Sequence, residues 1–148
     1  MKEIKGDAWK LIEQKEFQGL CILTNGIVNS RGENIMGAGI AKQAKQRAPG
    51  LPKLIGNHIG QNGNIPLIIK SPKSGKYMIT FPTKHDWKDK SDIDLIIRSA
   101  NSVNDIAEKY DINVLLPRPG CGKGGLNWNE VKPHLENILS DRIYIVSY

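Results

Sequence analysis

The chain has 148 residues, of which 39% are hydrophobic, and a formal charge of +6. That length builds one sizeable core rather than two, so a single domain over residues 1–148 is expected, and no apolar run approaches the roughly 20 residues that span a bilayer. Met1-Lys2-Glu3-Ile4-Lys5 lacks a signal peptide's apolar stretch, and the two cysteines stand far apart outside any Cys/His ligand spacing, which predicts a soluble, cytoplasmic protein with neither disulfide framework nor metal site.

A short strand is predicted at Lys2 to Lys5, followed by Gly6-Asp7, where Asp7 caps a helix carrying Ala8, Trp9, Leu11 and Ile12. Leu20-Cys21-Ile22-Leu23 is a solid apolar run bounded by polar residues and Gly19, the mark of a buried strand. After a polar loop from Asn29 to Asn34, the residues Ile35, Met36, Ile40, Ala41, Ala44 and Ala48 keep helical spacing up to Pro49-Gly50. A helix is therefore expected to begin close to Gly37-Ala38-Gly39.

Ile65 to Ile69 and Tyr77 to Phe81 read as two strands that pair as a hairpin. Ser91 opens a long amphipathic pattern through Ile93, Leu95, Ile96, Ala100, Val103, Ile106 and Ala107, ahead of an apolar strand from Ile112 to Leu116. A helix follows over Asn129 to Leu139, in which Pro133 is comfortable only in the first turn, and Ile143 to Val146 forms the last strand. Helices alternating with apolar strands predict an α/β fold, a three-layer α/β/α sandwich around a mixed, largely parallel sheet.

Two glycine-rich turns, Gly37-Ala38-Gly39 and Gly120-Cys121-Gly122-Lys123-Gly124-Gly125, lie after predicted strands and ahead of helices. Ligands of open α/β sheets bind at such places, where glycines let backbone N–H groups approach a phosphate and a helix start favours its charge. An isolated glycine turn serves equally for tight strand-to-helix geometry; two together favour a grip on the phosphates of a diphosphate. Neither is a P-loop or a full dinucleotide fingerprint. Cys121, between glycines, reads as a nucleophile or as a small packed side chain.

The segments Gly6-Asp7, NIMGAGIAKQAKQRAPGL, FPTKHDW and PGCGKGGLNW occur in the order seen in macrodomains, and the resemblance covers nearly the whole chain. It is similar above all to the branch containing the DarG antitoxin, a DNA ADP-ribosyl hydrolase, and the terminal ADP-ribose protein glycohydrolase. The resemblance implies that Asp7 and the Ala8 backbone meet adenine, that Asn25 lies near the distal ribose, and that Tyr148 closes over adenine. Gly37, Ala38, Gly39 and Ile40 would line one side of the diphosphate, with Gly120, Cys121, Gly122, Lys123, Gly124 and Gly125 on the other. Lys84 stands where that branch carries its catalytic lysine after Phe-Pro-Thr, while Gly124 replaces the aspartate of the protein-acting glycohydrolase.

From Lys70 to Lys90 there are six lysines, Lys70, Lys73, Lys76, Lys84, Lys88 and Lys90, against Asp86 and Asp89. Such a rim suits the phosphates of single-stranded DNA, and Trp87 offers a base-stacking face or packs inward. His85 and Asp86 are acid/base candidates beside Lys84. The expected activity is removal of ADP-ribose from DNA by a monomer that needs no cofactor. Phosphatase action on ADP-ribose 1''-phosphate and non-catalytic binding of ADP-ribose use the same turns.

Overall fold

The computed structural model describes residues 1–148. Its six strands are β1 (Lys2–Lys5), β2 (Gly19–Thr24), β3 (Ile68–Lys70), β4 (Tyr77–Pro82), β5 (Val114–Pro117) and β6 (Ile143–Ser147). The five helices are α1 (Ala8–Leu11), α2 (Gly39–Arg47), α3 (Leu51–Asn62), α4 (Ile93–Tyr110) and α5 (Trp128–Glu136). The strands form one sheet in the order β1-β6-β5-β2-β4-β3, parallel at every pairing except the β3/β4 hairpin.

Strand side chains alternate between faces, and each face is covered by helices. Leu20 and Ile22 of β2 pack with Ala41 and Ala44 of α2 and Leu51 and Ile55 of α3. Cys21, between them, belongs to the opposite cluster with Ile96, Ala100 and Val103 of α4 and Val131 and Leu135 of α5. The last strand divides in the same way, Ile143 and Ile145 to the second cluster and Val146 to the first. The sheet is thus the middle of the expected three-layer sandwich.

Four local readings change. The strand expected from Ile65 to Ile69 shortens to β3, because Pro66 has no N–H to pair; Leu67 still donates to Thr80 Oγ1 at 2.7 Å. Ile35 and Met36 precede α2 rather than join it, although Met36 is buried against it. Pro133 lies in the second turn of α5, not its first; it is exposed, so the carbonyl it cannot pair with faces water. Helix α3 has no counterpart among the predicted elements. Pro52 sits in its first turn, where a missing N–H costs nothing, and Leu51 and Ile55 are buried on its inner face.

Gly56 lets α3 approach the 29–34 loop closely: a Cβ there would overlap the Gly32 carbonyl oxygen and lie 3.2 Å from Asn34 N. Both obstacles are backbone, and Asn34 N is already bonded to Pro52 O at 2.9 Å. Gly56→Ala is expected to destabilise the protein by about 3 kcal/mol despite alanine's better helix propensity. Urea denaturation checks this; an unchanged midpoint would show that α3 shifts freely.

Candidate functional site

A cleft of about 1270 Å³ opens across the carboxyl ends of β2, β5 and β6 and the segment following β4. This is the crevice where open α/β sheets take ligands. One wall is Gly37-Ala38-Gly39 with the start of α2. No side chain caps α2, and its first backbone bond runs from Lys42 N to Ala38 O at 3.2 Å. The amides of Gly39, Ile40 and Ala41 precede that bond and lie in the cleft wall, so they are free to meet an anion.

The facing wall is the turn from Gly120 to Gly125, with a short 3₁₀ turn over Gly122–Gly124 closed by Leu126 N donating to Gly120 O at 2.9 Å. Gly120 has φ +79°, and a Cβ there would lie 2.7 Å from Ile96 Cδ1 and 2.8 Å from Leu126 Cδ1. Glycine is therefore required by conformation and by packing alike.

The third side is the loop after β4. Thr83 N donates to Thr24 O at 3.0 Å, extending the β2/β4 ladder by one bond, and Ser99 of α4 ties down Pro82 O at 2.7 Å. From this anchored base Lys84 reaches into the cleft: its backbone carbonyl accepts from Asn64 Nδ2 at 3.0 Å, while its amine donates to Trp87 O and Lys123 O, each at 3.4 Å. The amine thus bridges the loop and the second glycine turn. Among the lining residues Lys84, Lys88, Lys90, Arg118 and Lys123 are cationic and Asp89 alone is acidic. A cleft so charged selects an anionic ligand.

No family model matches the chain. The DNA ADP-ribosyl glycohydrolase of Thermus aquaticus is 31% identical over 118 residues, which is 76% of this chain and 32% of that protein. The chain therefore spans about a third of the curated relative's length. The macrodomain of Mycobacterium tuberculosis DarG superposes with a TM-score of 0.78 at 23% identity, over 99% of this chain and 97% of that one. Thermosipho africanus DarTG in complex with ADP-ribose gives 0.77 at 22% identity, over 98% of this chain and 41% of that one. This chain has the macrodomain fold.

Within the macrodomain cleft, most of the residues singled out by sequence come together. Ala8, Asn25, Gly37 to Ile40, Lys84, Gly120 to Gly125 and Tyr148 all line it. Asp7 does not: its carboxylate accepts from Trp9 N at 2.8 Å and caps α1, so it borders the cleft between Gly6 and Ala8, which do line it. Asn25 holds its own loop, Nδ2 donating to Ile35 O at 2.9 Å and Oδ1 accepting from Ile27 N at 3.0 Å and Asn34 Nδ2 at 3.2 Å. One amide hydrogen remains for a ligand. Tyr148, 89% exposed, is held by nothing but the strand before it.

Cys121 lines the cleft, but burial pushes its thiol above the ordinary range, and its sulfur faces Pro119 O at 3.8 Å rather than a base. It packs there as a thiol. His85 and Asp86 point away from the macrodomain cleft: the His85 ring bonds Asp92 Oδ2 at 2.8 Å, and Asp86 Oδ1 accepts from Lys88 N at 3.0 Å. The lysine rim also divides. Lys70 stands over Tyr77 at the far end of the hairpin, Lys73 lies exposed in the hairpin turn, and Lys76 donates to the Gln14 and Phe17 carbonyls, leaving Lys84, Lys88 and Lys90 at the cleft. Trp87 is 52% exposed and lines the cleft instead of packing inward.

Three further lining residues carried no sequence signal for the site. Trp9, braced by Gln43 Oε1 at 2.9 Å and by the Arg47 guanidinium 4.0 Å above its ring, forms an aromatic wall at the Ala8 end. Arg118 follows β5 directly, and Ser91 lies under the second glycine turn, its N donating to Gly124 O at 2.8 Å.

Asp92, rather than Ser91, caps α4: Oδ1 accepts from Asp94 N at 2.9 Å. The His85 hydrogen bond, helped by the Asp94 and Leu95 amides and opposed by burial, holds the Asp92 carboxyl below its ordinary 3.8. A depressed folded value means that the stability this group contributes is complete above pH 3.8 and is lost as pH falls through the lower folded value. Asp92→Ala is expected to cost about 1 kcal/mol at neutral pH. That gap should close in strong acid; urea midpoints across the pH range measure it, and a gap constant down to acid unfolding would contradict the assignment.

Proposed function

We propose that this macrodomain binds ADP-ribose joined to DNA and hydrolyses the linkage, with Lys84 as the nucleophile. The observation that carries the reading is the Lys84 amine, suspended between the two walls of a cleft whose amides and cations suit a diphosphate. Two relatives support it: the Thermosipho africanus protein was solved in complex with ADP-ribose, and the Thermus aquaticus protein carries the name DNA ADP-ribosyl glycohydrolase. Adenine lies between Ala8, Trp9 and Tyr148, beside Asp7, whose carboxylate caps α1. The diphosphate runs between Gly37-Ala38-Gly39-Ile40 and Gly120 to Gly125, which brings the distal ribose to Asn25 and Lys84.

In this arrangement the unprotonated amine attacks the anomeric carbon of the distal ribose as the bond to the DNA base breaks, the base leaving with the electron pair and taking up a proton. Opening of the ribose ring gives a Schiff base on Lys84. Water hydrolyses it to ADP-ribose and the free amine. The two 3.4 Å contacts of the resting amine are long for hydrogen bonds, so turning it toward substrate forfeits little.

The DNA strand lies across the rim, with phosphates on Lys88 and Lys90 and a base against the exposed Trp87 face. A monomer in the cytoplasm is the setting inferred; both cysteines are free, as a reducing compartment keeps them, and no helix is long and apolar enough to cross a membrane.

Lys84→Ala is expected to lower release of ADP-ribose from a modified single-stranded oligonucleotide by at least about 1000-fold while leaving calorimetric affinity for free ADP-ribose within a few-fold. Undiminished release would exclude Lys84 as nucleophile. Replacing Lys88 and Lys90 together by alanine is expected to reduce the dependence of log affinity for the oligonucleotide on log salt by about 1.4, near 0.7 for each phosphate that a lysine no longer neutralises. An identical slope would remove the strand from that rim.

A further inference from the structure

Hydrolysis of a Schiff base on Lys84 calls for a group that takes a proton from the attacking water and returns one to the departing amine. Neither glycine turn carries a carboxylate, and position 124 is a glycine packed against Ser91. A Cβ at Gly124 would overlap Ser91 Oγ, which is buried beneath the turn without a hydrogen-bond partner. Ser91 N is bonded to Gly124 O at 2.8 Å, which holds the serine backbone beneath the turn. With no carboxylate in either turn, an acid function comes from another side of the cleft.

Asp89 is the acidic residue among those that line it. Its neighbours Asp86 and Asp92 are engaged elsewhere, the first with Lys88 N and the second with His85 and the start of α4. The Asp89 backbone is fixed by its N–H to Asp86 O at 3.1 Å, and no hydrogen bond or ion pair engages its exposed carboxylate. Its place follows from two anchors on either side. Two residues before it, Trp87 O accepts the Lys84 amine at 3.4 Å; two residues after it, Ser91 N donates to Gly124 O at 2.8 Å. Asp89 therefore stands on the segment that runs from the nucleophile to position 124.

We infer that Asp89 is a second catalytic residue, the general base and acid for hydrolysis of the Lys84 Schiff base, an inference that rests on the hydrolase reading above. Water oxygen adds to the former anomeric carbon of the protonated Schiff base, the C=N π electrons move to nitrogen and leave it a neutral amine, and the Asp89 carboxylate takes the water proton. The resulting acid then protonates the nitrogen of the carbinolamine. The C–N bond breaks with its electrons to nitrogen, the hydroxyl O–H pair forms the aldehyde C=O, and the hydroxyl proton returns to Asp89 and passes to solvent. Lys84 is released as the amine, and the aldehyde of ADP-ribose closes to its ring.

The test uses the intact chain and an ADP-ribosylated single-stranded oligonucleotide, with cyanoborohydride added during turnover to trap the Schiff base for mass spectrometry. Asp89→Asn is expected to lower kcat by about 100-fold and to lower KM with it, leaving kcat/KM nearly unchanged, and Asp89→Glu to keep kcat within about tenfold of wild type. Asp89→Asn should also raise the trapped adduct on Lys84, because formation continues while hydrolysis slows; a purely structural role would lower adduct and turnover together. Calorimetric affinity for free ADP-ribose should be the same in wild type and Asp89→Asn. A kcat within threefold of wild type, or a fall in kcat with no rise in adduct, overturns the role of Asp89 alone. No release of ADP-ribose by the wild-type chain overturns the hydrolase reading and this inference with it.

Discussion

The site depends on strand β2 being paired on both edges. Its residues from Leu20 to Ile22 are wholly buried, with β4 on one side and β5 on the other, both parallel to it. The chain leaves β2 toward α2, returns through the hairpin to β4, and later comes back through α4 to β5 on the opposite edge. Three loops therefore leave the same end of the sheet and must diverge around β2. The crevice between them is a consequence of strand order, and each loop inherits a rigid base from a strand packed on both faces. The extra bond from Thr83 N to Thr24 O carries that rigidity one residue past β4, to the residue before Lys84.

Two demands compete at the second glycine turn. Anion binding needs a backbone that comes close to the ligand, which favours glycine; hydrolysis favours a carboxylate nearby. In this chain Gly120 is fixed by positive φ and by Ile96 and Leu126, and Gly124 packs against Ser91, so the turn offers the cleft backbone rather than a carboxylate. Ser91 begins the entry to α4, whose cap Asp92 also receives the His85 ring. Turn, loop and helix start thus constrain one another, and the acidic side chain that remains in the cleft belongs to the loop.

The fold was legible where burial on two faces left solid apolar runs, as in Leu20 to Leu23 and Ile143 to Val146, and where helices kept an apolar stripe, as in α4. Helix α3 escaped because Pro52, Gly56 and Gly60 read as breakers, although Leu51, Ile55 and Ile59 keep a four-residue spacing. The proline is harmless in a first turn and Gly56 is needed for close packing, facts that become visible once the 29–34 loop is in place. The glycine turns were legible through their position after strands, and Lys84 through the macrodomain resemblance, which marked it as a residue of the cleft. The lysine rim was misread because neighbours in sequence were treated as neighbours in space. Strand β4 has six residues, about 20 Å of extended chain, and it separates Lys76 at one end of the sheet from Lys84 at the other. Trp9, Arg118, Ser91 and Asp89 gave no pattern, because their place in the cleft arises from loops folding toward one another.

The resting contacts of Lys84 bear on how a cationic cleft can hold the nucleophile proposed for it. A buried ion pair would fix the amine firmly, and breaking it would add several kcal/mol to the barrier. Two long bonds to neutral carbonyls, Trp87 O and Lys123 O, place the amine between the walls at far lower cost to its release. One of those carbonyls belongs to the glycine turn assigned to the diphosphate. In the proposed reaction, any shift of that turn as the phosphates seat moves an acceptor of the Lys84 amine, so ligand binding and release of the proposed nucleophile act on the same peptide.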